Sequence, residues 1–289
     1  MEIIDAQIHP PALPAGIDPA STPDLALLVQ YEMTRAAMDA VGVDAAVVNT
    51  RAESVIDYFT QRDPVRFAGC PSVGAHADVD AEIARFADSP QIPAIRVHVV
   101  DWSTRTPNEA FQSGALGSVF ASAQRHRVPV FLGAQGVAHT VAQVAEAYPE
   151  LTLIVDHVGL SSAPPMALVD PDPWADLPVV LALARYPNVS LKLGGLSALS
   201  SEPYPHADLW PRMHLILDAF GTERLTWASD YTRLRMGVGT TDLAPREAWA
   251  GLYSDAVGFL RDASELSAGE KAMLLGGALR RLLRWSAPA

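Results

Sequence analysis

Leu225-Thr226-Trp227-Ala228-Ser229-Asp230 is a short apolar run that ends abruptly in a carboxylate, with Tyr231, Thr232 and Arg233 behind it. At the C-terminal end of a parallel strand, Asp230 would leave the packed layer and enter the bowl where such folds keep their chemistry. A carboxylate there can take a proton from water or hold a metal. The structural alternative is an Asp that caps the next segment or opens a turn. Whether other segments of the chain end the same way decides between the two.

Working outward, short apolar segments alternate with longer amphipathic ones. The strand-like segments are residues 2–8, 44–49, 66–72, 94–98, 128–132, 151–155, 189–193 and 224–229. Most are rich in Val, Ile, Leu and Phe with little alternation, the pattern of parallel strands buried on both faces. Helical patterns fill the intervals at 24–41, 54–62, 77–87, 108–127, 137–148, 176–186 and 207–220, and 245–262 and 267–285 follow the last strand. Pro64, Pro129, Pro149 and Pro187 stand between helix and strand, where proline ends helices. Eight strand-then-helix units predict a single-domain α/β protein, a (β/α)8 TIM barrel with a C-terminal helical extension. A doubly wound sheet is the rival, but the Gly-rich turn of a dinucleotide site is absent after the first strand. The longest irregular stretches, 10–23, 156–174, 194–205 and 231–244, all follow strands, as loops of a catalytic face do.

The balance of 21 Lys+Arg against 33 Asp+Glu, a net −12, argues against nucleic acid or an anionic membrane as partner. A single cysteine, Cys70, excludes an internal disulfide and a Cys-based metal site. The N-terminal residues lack a signal-peptide pattern and no apolar run reaches membrane-spanning length, so a soluble, cytoplasmic protein acting on a small molecule is expected. The apolar content and the C-terminal helix permit a homodimer without demanding one.

Strand periodicity puts Gln7 and His9 on one face at the end of the first strand. Asp156-His157 ends the sixth, and since only one of two adjacent strand residues can face the centre, His157 is taken as the inward group. Asp156 is then a candidate partner for an imidazole. His9, His157 and Asp230 thus all fall at C-terminal strand ends. On the fourth strand Arg96 and His98 share a face; Arg96 could grip a substrate carboxylate, or merely tie down a carboxylate at the barrel end. Lys192 on the seventh is read as tying barrel layers together. His76, Tyr231, Arg233 and Arg235 lie on strand-end loops and are weaker substrate-binding candidates.

The pieces DAQIHP (5–10), IPAIRVHV (92–99), LIVDHVGL (153–160), NVSLKLGGLS (188–197), ERLTWASDY (223–231) and GEKAMLLGGALRRL (269–282) together resemble the amidohydrolase superfamily. The likeness is to its amidohydrolase-related group, which contains sugar-lactone and 2-pyrone-4,6-dicarboxylate lactonases, and it covers essentially the whole chain. It implies an active centre of His9, His157 and Asp230. One departure matters: the first motif of the group is His-x-His, and here Gln7 replaces the first histidine. An amide oxygen is a poor ligand for a borderline-soft ion. Phe131-Leu132-Gly133-Ala134-Gln135 also lacks the fifth-strand lysine or histidine of metal-using members.

The expectation is a hydrolase that opens the cyclic ester of a small carboxylated intermediate. Asp230 acts as general base, His9 and His157 orient water or carbonyl, and Arg96 supplies positive charge. Gln7, His98, His76, Tyr231 and Arg233 are the substrate-binding candidates. No metal cofactor is expected; the alternative is one divalent ion, Zn or Mn, on His9, His157 and Asp230. Two rival readings are a metal-dependent non-oxidative decarboxylase and a degenerate barrel that binds without turnover.

Overall fold

The computed structural model describes residues 1–161, 172–234 and 253–285. Eight parallel strands run in chain order: β1 (Ile4–Ile8), β2 (Ala45–Thr50), β3 (Phe67–Pro71), β4 (Ile95–His98), β5 (Val130–Gly133), β6 (Leu153–Val155), β7 (Val189–Gly194) and β8 (Leu225–Ala228). β1 to β3 form one ladder and β4 to β8 another. Two seams join them. At the first, Ser72 bridges to Arg96 in parallel and the Val73 N–H donates to the Arg96 carbonyl at 2.9 Å. At the second, the Asp230 N–H donates to the Gln7 carbonyl at 3.1 Å, and the Asp5 carboxylate stands in for a backbone carbonyl by accepting the Ser229 N–H at 2.9 Å. The expected (β/α)8 barrel is the fold.

Strand parity divides the apolar residues into two shells. Val48, Val97, Leu132, Val155 and Leu191 face the helices in one core cluster. Ala45, Val47, Ala68, Cys70, Ala94, Phe131, Ile154 and Ala228 fill the barrel in another, together with Leu279 and Leu283 from the last helix and Trp285 just beyond it. An eight-stranded barrel has room only for packed side chains, which is why alanines flank the one large ring, Phe131. Burial pushes the Cys70 thiol up to about 12, so it is an inert part of this core.

Some local expectations need correction. The helical pattern of 108–127 is two pieces, Glu109–Gln112 and Gly117–His126; Asn108 caps the first by accepting the Phe111 N–H at 2.9 Å. The loop after β4 carries a two-residue antiparallel ladder, Val100–Asp101 with Thr106–Pro107. The last helix opens with a Ser267–Glu270 capping box but has a π turn at Met273–Gly277 that no sequence signal announced. Of the expected helix 245–262, Tyr253–Arg261 is helical and 245–252 lie outside the described residues. Among the described residues no helix is long and apolar enough to cross a membrane.

Candidate active site

The site is built from strand ends, and β1 shows how. Ile4 and Ala6 belong to the barrel core while Ile3 and Ile8 face the helices. A strict alternation would then turn Gln7 and His9 outward. The register of β1 on β2 shifts between Asp5 and Ile8, and this irregularity returns both residues to the bowl.

The Gln7 amide is held at both ends. Its Oε1 accepts from Lys192 Nζ at 2.9 Å, and because an ammonium can only donate, the amide orientation is fixed. Gln7 Nε2 therefore faces His9 Nε2 at 3.3 Å and His157 Nε2 at 3.4 Å. An amide nitrogen also only donates, so both imidazoles present lone pairs at Nε2. His157 completes this tautomer by donating from Nδ1 to the Gly194 carbonyl at 3.3 Å. A Cβ at residue 194 would stand 3.1 Å from that Nδ1, so the close approach requires glycine. Burial is the main reason that the His157 imidazolium is disfavoured.

Asp230 lies opposite the amide. Its carboxylate approaches His9 Nε2 at 3.3 Å and His157 Nε2 at 3.5 Å. It is 1% exposed, and neither oxygen receives a hydrogen bond. Burial opposes its ionisation, but the nearby Arg96 guanidinium works against burial, and the carboxyl is held below its ordinary range. The backbone at Asp230 is left-handed (φ 52), a conformation that Asp tolerates better than most residues. The bonds around it keep it there: Asp230 N–H to Gln7, and the Asp5 carboxylate, which accepts from Gln7 N, Ser229 N, Ser229 Oγ and Tyr253 Oη. The Thr232 hydroxyl accepts the His9 N–H at 3.1 Å and ties the same turn to β1.

Asp5 is a positioning residue with an unusual proton affinity, since burial raises it to about 6 against those donors. The native state then binds more protons than the unfolded chain between 3.8 and about 6, so ionising Asp5 costs stability as pH rises through that window. Ser229→Ala removes one donor from Asp5 and strips the buried Tyr231 N–H of its acceptor, Ser229 Oγ at 3.1 Å. It is expected to cost about 1–3 kcal/mol at neutral pH and less below the Asp5 titration, as chemical denaturation on both sides of that pH would show.

Under this pair lies a buried charge network. Asp156 Oδ2 accepts from Arg96 Nε at 2.8 Å and Nη2 at 2.7 Å, and its Oδ1 from Lys192 Nζ at 2.6 Å. Lys192 also places its ammonium 3.6 Å from the centre of the Phe131 ring. With Gln7, Asp156 and the ring, all three of its donors are used. Burial holds Lys192 below its usual value, while Asp156, opposed by burial, is held far below its own by Arg96 and Lys192. The expected partnership of Asp156 with an imidazole is thus corrected: its partners are the two cations. So is the rule that only one of Asp156 and His157 can face inward. Positive φ at His157 (φ 50) and Val158 (φ 59) breaks the strand geometry and brings both into the bowl.

The remaining candidates separate. His98 packs beside Gly133, where a Cβ would lie 2.3 Å from its Nδ1, and has Trp102 at 5.4 Å. Burial, with Arg96 nearby, pushes His98 down to about 4, so it is neutral. Tyr231 stacks on Tyr253 at 4.1 Å. His76 is exposed and pairs with Glu82 at 2.9 Å. The Arg233 side chain, and Arg235 altogether, lie outside the described residues. The sequence reading missed Asp5, Thr232 and Gln135; both polar atoms of the Gln135 amide are buried without a partner. Asp5 opens the quoted DAQIHP piece, and Gln135 follows a strand end as His9 does; those were the available signals.

His9, His157 and Asp230 have the donor types of a metal centre, but the arrangement does not fit one as it stands. Among the described residues no group of three His, Cys, Asp or Glu is placed to hold an ion. The Gln7 NH2 group faces the very lone pairs that a cation would need.

Comparison with known proteins agrees with this architecture. A stretch of 108 residues, 36% of this chain and 34% of the relative, is 34% identical to L-fucono-1,5-lactonase of Burkholderia ambifaria, so the match spans about a third of that enzyme's length. An amidohydrolase of Burkholderia multivorans with bound HEPES superposes with a TM-score of 0.71 at 19% identity, over 98% of this chain and 99% of that one. The same protein is also known with bound zinc, at a TM-score of 0.65. A protein of Acinetobacter baumannii described as a probable 2-pyrone-4,6-dicarboxylic acid hydrolase, with citric acid bound, gives 0.67 at 15% identity over 98% of this chain and all of that one (100%). These solved structures share the fold. The amidohydrolase family model matches residues 4–285, from the first strand to just past the last helix. On that match, and with the barrel and its strand-end centre in place, the chain belongs to the amidohydrolase family.

Proposed function

We propose that the protein hydrolyses a lactone, with Asp230 as the general base. The observation that carries this reading is the pair of buried Asp230 oxygens without a hydrogen-bond donor, set between the His9 and His157 imidazoles. A buried carboxylate without donors is costly, and a site that keeps one has work for it. A water on Asp230 gives it a proton as the oxygen adds to the lactone carbonyl carbon. The tetrahedral intermediate then collapses by breaking the ring C–O bond, and the Asp230 carboxylic acid returns the proton to the leaving alkoxide. The product is a hydroxy acid, and no step passes through a metal.

The substrate this site fits best is a hydroxylated lactone, the class on which the Burkholderia ambifaria relative acts. Arg96, expected to grip a substrate carboxylate, gives its Nε and Nη2 to Asp156 and serves the site through its field. Apart from Asp230, the buried polar atoms left without partners at or just past strand ends are neutral: Asn49 Oδ1, His98 Nδ1 and both ends of the Gln135 amide. Neutral donors and acceptors match ring hydroxyls. Hydrolysis of 1,5- and 1,4-sugar lactones beside a carboxylated pyrone, followed with a pH indicator after chelator treatment, tests this. Turnover of the hydroxylated lactones with full retention after chelation is expected; a preference for the pyrone dicarboxylate would reverse the substrate assignment.

A further inference from the structure

We propose that Gln7, clamped by Lys192, is a built-in cation excluder, and that changing its amide nitrogen to oxygen converts this site into one that binds a divalent ion. The inference rests on His9, His157 and Asp230 being the active centre, but not on which reaction they catalyse.

The geometry separates the site's spacing from its chemistry. Gln7 Nε2 to His9 Nε2 is 3.3 Å, Gln7 Nε2 to His157 Nε2 is 3.4 Å, and Asp230 lies 3.3 Å and 3.5 Å from the same two nitrogens. The two Gln7–imidazole spacings are close to the edge of a tetrahedron with metal–ligand bonds of ~2.0–2.1 Å, which is about 3.3–3.4 Å. Asp230 offers a different oxygen to each histidine, and without a donor atom at the Gln7 position the described residues hold no ion. What opposes the ion is one group: an NH2 whose hydrogens face both imidazole lone pairs. Turning the amide over would present oxygen to the histidines, but it would set the NH2 against the Lys192 ammonium, two donors face to face in a buried place. Lys192 cannot move aside, since its other donors are held by Asp156 and the Phe131 ring.

Gln7→Glu keeps the shape, and one carboxylate oxygen still accepts from Lys192. The other becomes an acceptor that faces two lone pairs and Asp230, an arrangement that only a cation or protons can satisfy. The experiment equilibrates the full chain, wild type and Gln7→Glu, with zinc, dialyses both against metal-free buffer, and measures zinc per chain by elemental analysis. Zinc binding is followed in parallel by calorimetry. Far less than stoichiometric zinc in the wild type and near-stoichiometric zinc in Gln7→Glu, lost again when Asp230→Asn is added, is the expected result. Gln7→His, which also replaces the NH2 with a lone pair, serves if Gln7→Glu does not give the wild-type circular dichroism. Near-stoichiometric zinc in the wild type overturns the proposal. So does a folded variant that holds no more zinc than the wild type. A lactone assay on the zinc-free wild type reads the proposed function separately: failure there would remove the lactonase and leave the excluder standing.

Discussion

Asp230→Asn is expected to lower kcat on the order of 10²–10⁴-fold while leaving the fold intact. The isosteric amide keeps the shape of the buried side chain but loses the ability to take a proton. The amide NH2 would also lie near His9 Nε2, which approaches this side chain at 3.3 Å with its lone pair. Steady-state kinetics and a thermal melt on the same preparation check both halves. A variant with near-wild-type kcat would remove Asp230 as the base. The pH profile gives a second reading of the same group. Burial works against the charged form, but the nearby Arg96 guanidinium counters it and Asp230 is held below 3.8, and the base is the deprotonated form. Activity should therefore persist on acidification past the ordinary carboxylate range and fall only below it.

The largest effect on stability is expected from Asp156→Asn, about 3–5 kcal/mol at neutral pH by chemical denaturation. Asp156 is fully buried and is the shared partner of Arg96 and Lys192, so its loss leaves two buried cations facing each other across the barrel. The sign with pH follows from its depressed proton affinity. A carboxylate held far below 3.8 contributes stability that is complete above 3.8 and fades as pH falls through its folded value. The difference between wild type and variant should accordingly shrink in acid. A variant within about 1 kcal/mol of wild type at neutral pH would mean that the network is far less costly to break than buried ion pairs generally are.

These two residues mark the limit of what could be read from the chain. Asp230 was legible because a run of apolar residues ends in it, and the same ending recurs at His9 and His157. Arg96 was legible as an inward residue, but its partner was not, because Asp156 is 60 positions away in sequence. In the structure its Nε and Nη2 go to Asp156, the structural alternative read beside a grip on a substrate carboxylate. The partnership of Asp156 was misread for a local reason: strand alternation holds only while the backbone stays extended, and positive φ at His157 and Val158 ends it.

By itself, the sequence determined the order of eight strand-and-helix units, the apolar core and the strand ends at which chemistry would sit. These are local properties, set by hydrophobic pattern and by where proline and polar residues interrupt it. Only the tertiary structure decided the orientation of the Gln7 amide, since that depends on Lys192, 185 residues away, donating to its oxygen. It alone also decided that Asp5 would close the last seam and that Asp230 would be left without a donor. Hydrogen-bond partners across a barrel are fixed by closure, and no window of sequence contains both sides of a closed ring.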